Sequence, residues 1–225
     1  SRFEVHAHSE FSNSRILDCT LKPERLIRKA KEMGLSGIAI TDHESLSVGI
    51  RANRLAKELK DTGFKVALGN EIYLVEDREP GQKYYHFILI AKDEIGYTLM
   101  KELSTNAWLN GYQDKGERVP TLKSELKQLV EKYGKGHLIA TSACLGGELS
   151  TLTLGLCERE EVGDAVNAAT YHSRIVEYMR FMIDVFGSDF YIECAPGRSR
   201  EQMVVNNRLL NIAKAFNVKM VIGTD

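Results

Sequence analysis

The sequence predicts an α/β domain in which strands alternate with helices as parallel βαβ units, wound either as an open doubly wound sheet or as a closed barrel. Two observations predict it. Seven short apolar runs, at 3–8, 37–41, 65–75, 84–91, 137–141, 190–194 and 219–223, are rich in Val, Ile, Leu, Tyr and Phe, as strands buried on both faces are. Between them lie amphipathic stretches of helical period that carry helix punctuation. No repeat period, low-complexity tract or Pro/Gly/Ser linker interrupts the pattern, so residues 1–225 read as a single domain.

Each element has its own signal. The first strand ends on His6-Ala7-His8. A helix starts at Pro23, carries the stripe Leu26, Ile27, Ala30 and Met33, and is closed by Gly34. The second strand runs into Thr41-Asp42-His43, where Thr41 or Asp42 could cap a helix starting near Ser47. Glu71 lies within the third strand, and His86 opens the fourth. Polar segments 76–84 and 110–121 read as loops near a binding face. Leu122, Leu126, Leu129, Val130 and Tyr133 form a helix stripe closed by Gly134, the strand 137–141 leads to Cys144, and longer helices cover 165–186 and 200–216. Asp225 follows the last strand.

Composition narrows the function. With 43% hydrophobic residues, 27% charged and 4 Pro, the chain is neither disordered nor dependent on a metal merely to fold. A net charge of −1 excludes a generally basic nucleic-acid coat but leaves room for a local basic groove. No apolar run approaches a membrane span and the N-terminus has no signal-peptide core, so no membrane partner is expected. The 4 Cys show no CxxC, which fits a reducing cytoplasm. There is no GxSxG, no phosphate-binding GxxxxGK[ST] and no strand-linked GxGxxG.

The chemistry gathers at strand ends, where α/β folds bind ligands. His6 and His8, two apart on a strand, face the same way and can reach one metal; alone, the pair reads equally as two edge histidines. An acid such as Glu71 inside an apolar strand is costly unless paired or metal-bound. His86 can be a core histidine, Cys144 a small buried hydrophobe or a metal thiolate, and Gly146-Gly147 a phosphate-binding turn. Asp18 and Glu193 are ambiguous. His137, His172, Cys19, Cys157 and Cys194 lack ligand-like company. A mixed N, O and S donor set suits Zn²⁺, Mn²⁺ or Fe²⁺.

Taken in order, His6-Ala7-His8-Ser9-Glu10-Phe11-Ser12, Thr41-Asp42-His43, Gly69-Asn70-Glu71, His86, Ser142-Ala143-Cys144-Leu145-Gly146-Gly147-Glu148 and Gly223-Thr224-Asp225 resemble the successive motifs of the PHP (polymerase and histidinol phosphatase) domain. The Cys144 segment and Phe190-Tyr191-Ile192-Glu193 make the chain resemble the N-terminal PHP domain of bacterial replicative DNA polymerase III alpha subunits. The resemblance implies a distorted (β/α)₇ TIM-like barrel with two to three divalent metals, Zn²⁺ or Mn²⁺ with Fe²⁺ as a further candidate. It implies one metal on His6, His8, Glu71 and Asp225, a second on Glu71, His86 and Cys144, and a third on Asp18 and His43. His8, Glu71 and Asp42 are the expected catalytic groups. The loop from His8 to Asp18 is longer than the commonest family spacing, and the closing DxH motif stops here at its Asp, so the chain reads as a fragment of a larger polymerase.

The function implied is metal-dependent phosphodiester hydrolysis, 3′–5′ removal of nucleotides from a single-stranded primer end. Arg15, Lys83, Arg118 and Arg198 are candidate phosphate contacts, each equally readable as a solvated surface cation. The expected partners are DNA, the remainder of the polymerase chain and a separate proofreading subunit. The competing readings are a metal-stapled structural or docking domain and a free phosphatase related to histidinol phosphatase.

Overall fold

The structure, a computed structural model, describes residues 2–14, 18–79, 81–110 and 119–225. Eight strands, β1 (Phe3–Glu4), β2 (Gly37–Ile40), β3 (Lys65–Val75), β4 (Tyr85–Ala91), β5 (Pro120–Leu122), β6 (Leu138–Thr141), β7 (Phe190–Cys194) and β8 (Lys219–Ile222), are interleaved with seven helices. These are α1 (Pro23–Glu32), α2 (Gly49–Leu59), α3 (Glu94–Asn110), α4 (Lys123–Tyr133), α5 (Glu148–Glu161), α6 (Ala165–Phe186) and α7 (Arg200–Phe216). Seven strands follow the order β1-β2-β3-β4-β6-β7-β8 and form a nearly closed, distorted barrel, while β5 pairs with the far end of β3.

The barrel departs from the all-parallel expectation at one place. β4 runs antiparallel to both β3 and β6, with Tyr73 opposite His86 and Ile88 opposite Thr141. The physical reason is length: a parallel return needs a crossover of a dozen or more residues, and segment 76–84 is too short to supply one. The segment read as a loop to 121 likewise yields a strand, β5, at its end. β1 has only two ladder residues, so His6 and His8 lie beyond its pairing with β2. Neither Thr41 nor Asp42 caps a helix: α2 starts at Gly49 with no side-chain cap. The two longest helical predictions hold, with Asp164 and Ser199 capping α6 and α7.

Period two along the strands sorts the core into layers. Outward residues such as Ile72, Leu74, Phe87, Leu89, Phe190 and Ile192 pack with Leu99, Leu126, Leu152, Met179 and Leu209 of the surrounding helices. Ile38 and Ile40 of β2 pack similarly on Ile27 of α1 and Leu55 of α2. Each such side chain stabilises the fold by about 1.5–3 kcal/mol on burial. The barrel interior holds a small apolar plug of Ala39, Ile88 and Ile90, flanked by Ala67 and Ile139. Glu71 and Tyr73 share the inward row of Ala67, and His86 shares that of Ile88 and Ile90. Above a dry floor, the inward positions therefore turn polar at the carboxyl ends of the parallel strands.

Among the described residues no ladder joins β8 to β1. The buried Glu4 carboxylate bridges the seam instead, accepting from the backbone N–H groups of Val5 (3.0 Å), His6 (3.1 Å) and Thr224 (3.1 Å) and from Thr224 Oγ1 (2.6 Å), with Arg2 alongside. Glu4→Ala orphans these donors together and is expected to lower stability by about 3 kcal/mol, read as the shift in a urea melt. A change below about 0.5 kcal/mol would show that water satisfies the seam as well as the carboxylate does.

Candidate metal centre

Every ligand candidate comes from the same barrel end. His6 and His8 follow β1, His43 follows β2, Cys144 follows β6 and Asp225 follows β8. Glu71 lies in β3, and His86 joins them because antiparallel β4 begins at this end. Three groups of potential ligand atoms converge within 4.8 Å: His6, His8, Glu71 and Asp225; His8, Asp18 and His43; Glu71, His86 and Cys144.

Glu71 is the hub. It is fully buried, and its Oε2 lies 2.8 Å from His6 Nε2 and 3.0 Å from His8 Nε2. Its Oε1 faces His86 Nδ1 in close contact and His43 Nδ1 at 3.5 Å. His6 Nε2 and His8 Nε2 stand 3.2 Å apart, and Asp225 Oδ1 approaches them at 3.5 and 3.1 Å. Cys144 Sγ is 3.5 Å from His86 Nδ1, and His43 Nε2 is 3.7 Å from Asp18 Oδ2.

A supporting layer lies behind these groups. Glu193 Oε1 accepts from His6 Nδ1 at 2.7 Å, and Thr141 Oγ1 donates to Glu193 Oε2. Ser12 Oγ is 3.0 Å from His8 Nδ1 and donates to Asp42 Oδ1 at 2.9 Å. Asp42, expected as a catalytic group, lies outside the three ligand groups. Its carboxylate also accepts from Ser9 N (2.6 Å) and Ser9 Oγ (2.8 Å). Backbone strain sits beside two ligands: Glu44 (φ 49°) follows His43 and Ala143 (φ 58°) precedes Cys144, a region that non-glycine residues occupy only when the surroundings hold them there. The Gly146-Gly147 turn has a packing reason of its own, since a Cβ at Gly147 would meet Ser142 O at 2.1 Å. Gly223 is needed similarly, because a Cβ there would stand 2.0 Å from Glu193 Oε1.

The charges interlock. Burial opposes protonation of His6 and His8, but Glu193 and Glu71 on the first, and Asp225 and Glu71 on the second, outweigh it. His6 is held well above the usual range and His8 at about 9. Burial would raise Glu71 and Asp225, yet the histidines hold Glu71 well below the usual carboxylate range and Asp225 at about 2. Burial, with Asp225 and Glu71 adding to it, pushes the Cys144 thiol up, and burial pushes His43 down. The His8 proton thus contributes stability below the ordinary histidine value of about 6.5 that is lost as pH rises through 9. A divalent cation would take the place of these protons. The fit to one is direct: both oxygens of the buried Glu71 carboxylate are surrounded by histidine nitrogens, with the Cys144 thiol nearby, a donor set that suits Zn²⁺, Mn²⁺ or Fe²⁺.

Of the proposed phosphate contacts, Lys83 and Arg198 are exposed on the loops after β3 and β7, at the same end as the ligands, whereas Arg15 and Arg118 lie outside the described residues. His137 pairs with Asp93 at 2.7 Å, remote from the centre in the chain's architecture. Sequence reading missed Glu4, Ser9, Ser12 and Thr141 as parts of the site. A buried-looking acid at Glu4 within an apolar strand was the one available signal; the hydroxyls carry none.

The PHP domain family matches residues 4–196. The chain belongs to the PHP domain family. This PHP domain is 39% identical to the Bacillus subtilis protein named probable DNA polymerase YorL over 98% of the chain, and 33% and 32% identical to DNA polymerase III alpha subunits of Borreliella burgdorferi and Aquifex aeolicus over 100% and 98% of it. The chain spans 18% of the length of each of these relatives. Among solved structures, a candidate metal-dependent phosphoesterase from Bifidobacterium adolescentis superposes with a TM-score of 0.52 at 17% identity, covering 98% of this chain and 86% of that one. An amidohydrolase from Chromobacterium violaceum, with bound sulfate and no metal, superposes with a TM-score of 0.53 at 13% identity, covering 100% and 87%. Both likenesses establish the barrel fold. No helix among the described residues is long and apolar enough to cross a membrane.

Proposed function

We propose that this PHP domain is a divalent-metal phosphoesterase that removes nucleotides from the 3′ end of single-stranded DNA, as the 3′–5′ exonuclease of a larger replicative polymerase chain. One observation carries the reading: the two oxygens of a single buried carboxylate, Glu71, each face a separate set of ligand atoms. Shared carboxylates of this kind pair two metals for in-line phosphoryl chemistry.

His6, His8, Glu71 and Asp225 would hold one metal, and Glu71, His86 and Cys144 a second, with Zn²⁺ or Mn²⁺ preferred and Fe²⁺ acceptable. Asp18 and His43 would hold a third only with another donor, because His8 offers its Nε2 to the first group. Bound there, divalent metals supply Lewis acidity that activates water and offsets phosphoryl charge. The protein's own groups do the rest. The apolar plug of Ala39, Ile88 and Ile90 closes the barrel beneath the site, so substrate approaches from the rim, where Asp225, Asp18 and His86 are partly exposed. Lys83 and Arg198 on that rim would take phosphates of the strand. On this reading the domain works in the cytoplasm, joined to the remainder of the polymerase, which carries out nucleotidyl transfer, and a separate proofreading subunit is a further partner.

The test uses the parent polymerase chain and a 5′-labelled single-stranded oligonucleotide. Stepwise 3′ shortening should depend on added Mn²⁺ or Zn²⁺ and stop with chelator. Metal-replete protein that leaves the oligonucleotide intact, but melts earlier once stripped of metal, would replace this reading with the structural one. That alternative draws on the dense pairing of His6, Glu71 and Glu193 across the barrel.

A further inference from the structure

Resting on the metal-centre reading, we infer that Glu193 and Asp42 are positioning residues that fix the two histidines of the His6–His8 pair with their Nε2 atoms turned to Glu71. An imidazole that gives Nε2 to a cation keeps its proton on Nδ1 and needs an acceptor there. Both histidines have one. Behind His6 stands Glu193 at 2.7 Å, itself immobilised by Thr141 Oγ1 on its second oxygen and by Ser142 Oγ, which accepts from its backbone N–H at 2.9 Å. Behind His8 stands Ser12, whose hydroxyl donates to Asp42 and so accepts from the ring; Asp42 is anchored in turn by both polar groups of Ser9. Glu193 is 1% exposed and Asp42 fully buried, so neither is a surface charge that settled nearby.

The pair is held in one specific alignment. Holding His6 Nε2 3.2 Å from His8 Nε2, against one carboxylate oxygen, sets two like atoms face to face. The two buttresses fix the rings in this orientation from behind. Such an alignment makes sense where a cation sits between the nitrogens. His86 is placed differently. It presents Nδ1, not Nε2, to Glu71 Oε1 and Cys144, and no carboxylate is found behind it among the described contacts. The buttresses therefore serve the His6–His8–Glu71–Asp225 group and leave the Glu71–His86–Cys144 group untouched.

Cobalt(II) separates the two groups, because only the second contains a thiolate and gives a sulfur-to-cobalt charge-transfer band. In Glu193→Gln and Asp42→Asn, which keep shape but turn one of the two accepting oxygens into an N–H₂ donor and remove the charge, cobalt bound without the charge-transfer band should weaken about 10–100-fold while the midpoint of that band stays put. Ser12→Ala removes only the relaying hydroxyl and should reproduce Asp42→Asn, which keeps the inference testable if the latter does not fold. Titrations superimposable on the unsubstituted protein, or equal weakening of both signals, would overturn the positioning role. Absence of any cobalt binding by the unsubstituted protein would instead overturn the metal-centre reading on which it rests.

Discussion

Glu71→Ala should remove both of the proposed metals at once, a larger loss than that of a ligand serving one group. Each of its oxygens faces a different ligand group, so alanine breaks both, whereas Cys144→Ala should disturb one. Loss of an outer-shell partner typically costs about 10–100-fold in metal affinity, and loss of the shared ligand should exceed that for each metal. The substitution also strips four buried or half-buried histidines, His6, His8, His43 and His86, of their common carboxylate, so Glu71→Gln is the companion variant: it keeps the volume but not the charge. Elemental analysis of protein purified without chelator decides the matter. Equal metal content in Glu71→Gln and Cys144→Ala would mean that Glu71 is not shared.

On the proposed exonuclease reading, His8→Ala in the larger polymerase chain should abolish metal-dependent 3′ shortening and leave polymerisation largely intact. His8 Nε2 lies 3.0 Å from Glu71 Oε2 and 3.1 Å from Asp225 Oδ1, so its removal opens the first group at its centre. Shortening that survives His8→Ala would point to a contaminating nuclease. No shortening in either protein, with an earlier melt in His8→Ala, would assign the histidines to structure.

Much of this site was legible before any coordinates. Runs rich in Val and Ile gave the strands, and the placement of His6, His8, Glu71, His86 and Cys144 near strand ends pointed to one face. What period and composition do not carry is direction. Nothing in Tyr84–Ala91 distinguishes a parallel from an antiparallel strand; only the shortness of 76–84 does, and its polar composition suits a surface loop as well as a hairpin turn. The direction matters, because it explains why a histidine at the start of a strand joins ligands that follow the ends of others. Pro120–Leu122 escaped because three residues are too few for any period to register. The buttressing hydroxyls of Ser9, Ser12 and Thr141 escaped for another reason. Serine and threonine serve equally in turns and on surfaces, so their partners become visible only when strands distant in sequence are brought together.

The seam between β8 and β1 bears on how the molecule is born. Protein leaves the ribosome amino end first, so His6 and His8 are exposed early while Asp225, their partner across the seam, is still to be made. The Glu71–His86–Cys144 trio is complete once residue 144 has emerged, well before Asp225 is made. The two halves of the centre thus mature in the reverse of their order along the chain: the Glu71–His86–Cys144 trio is ready first, and the pair that follows β1 waits longest. During that interval Glu71 is the only acid of its own group available to His6 and His8, and a cation captured by the trio would already hold that carboxylate in place when the last strand arrives to close the ring.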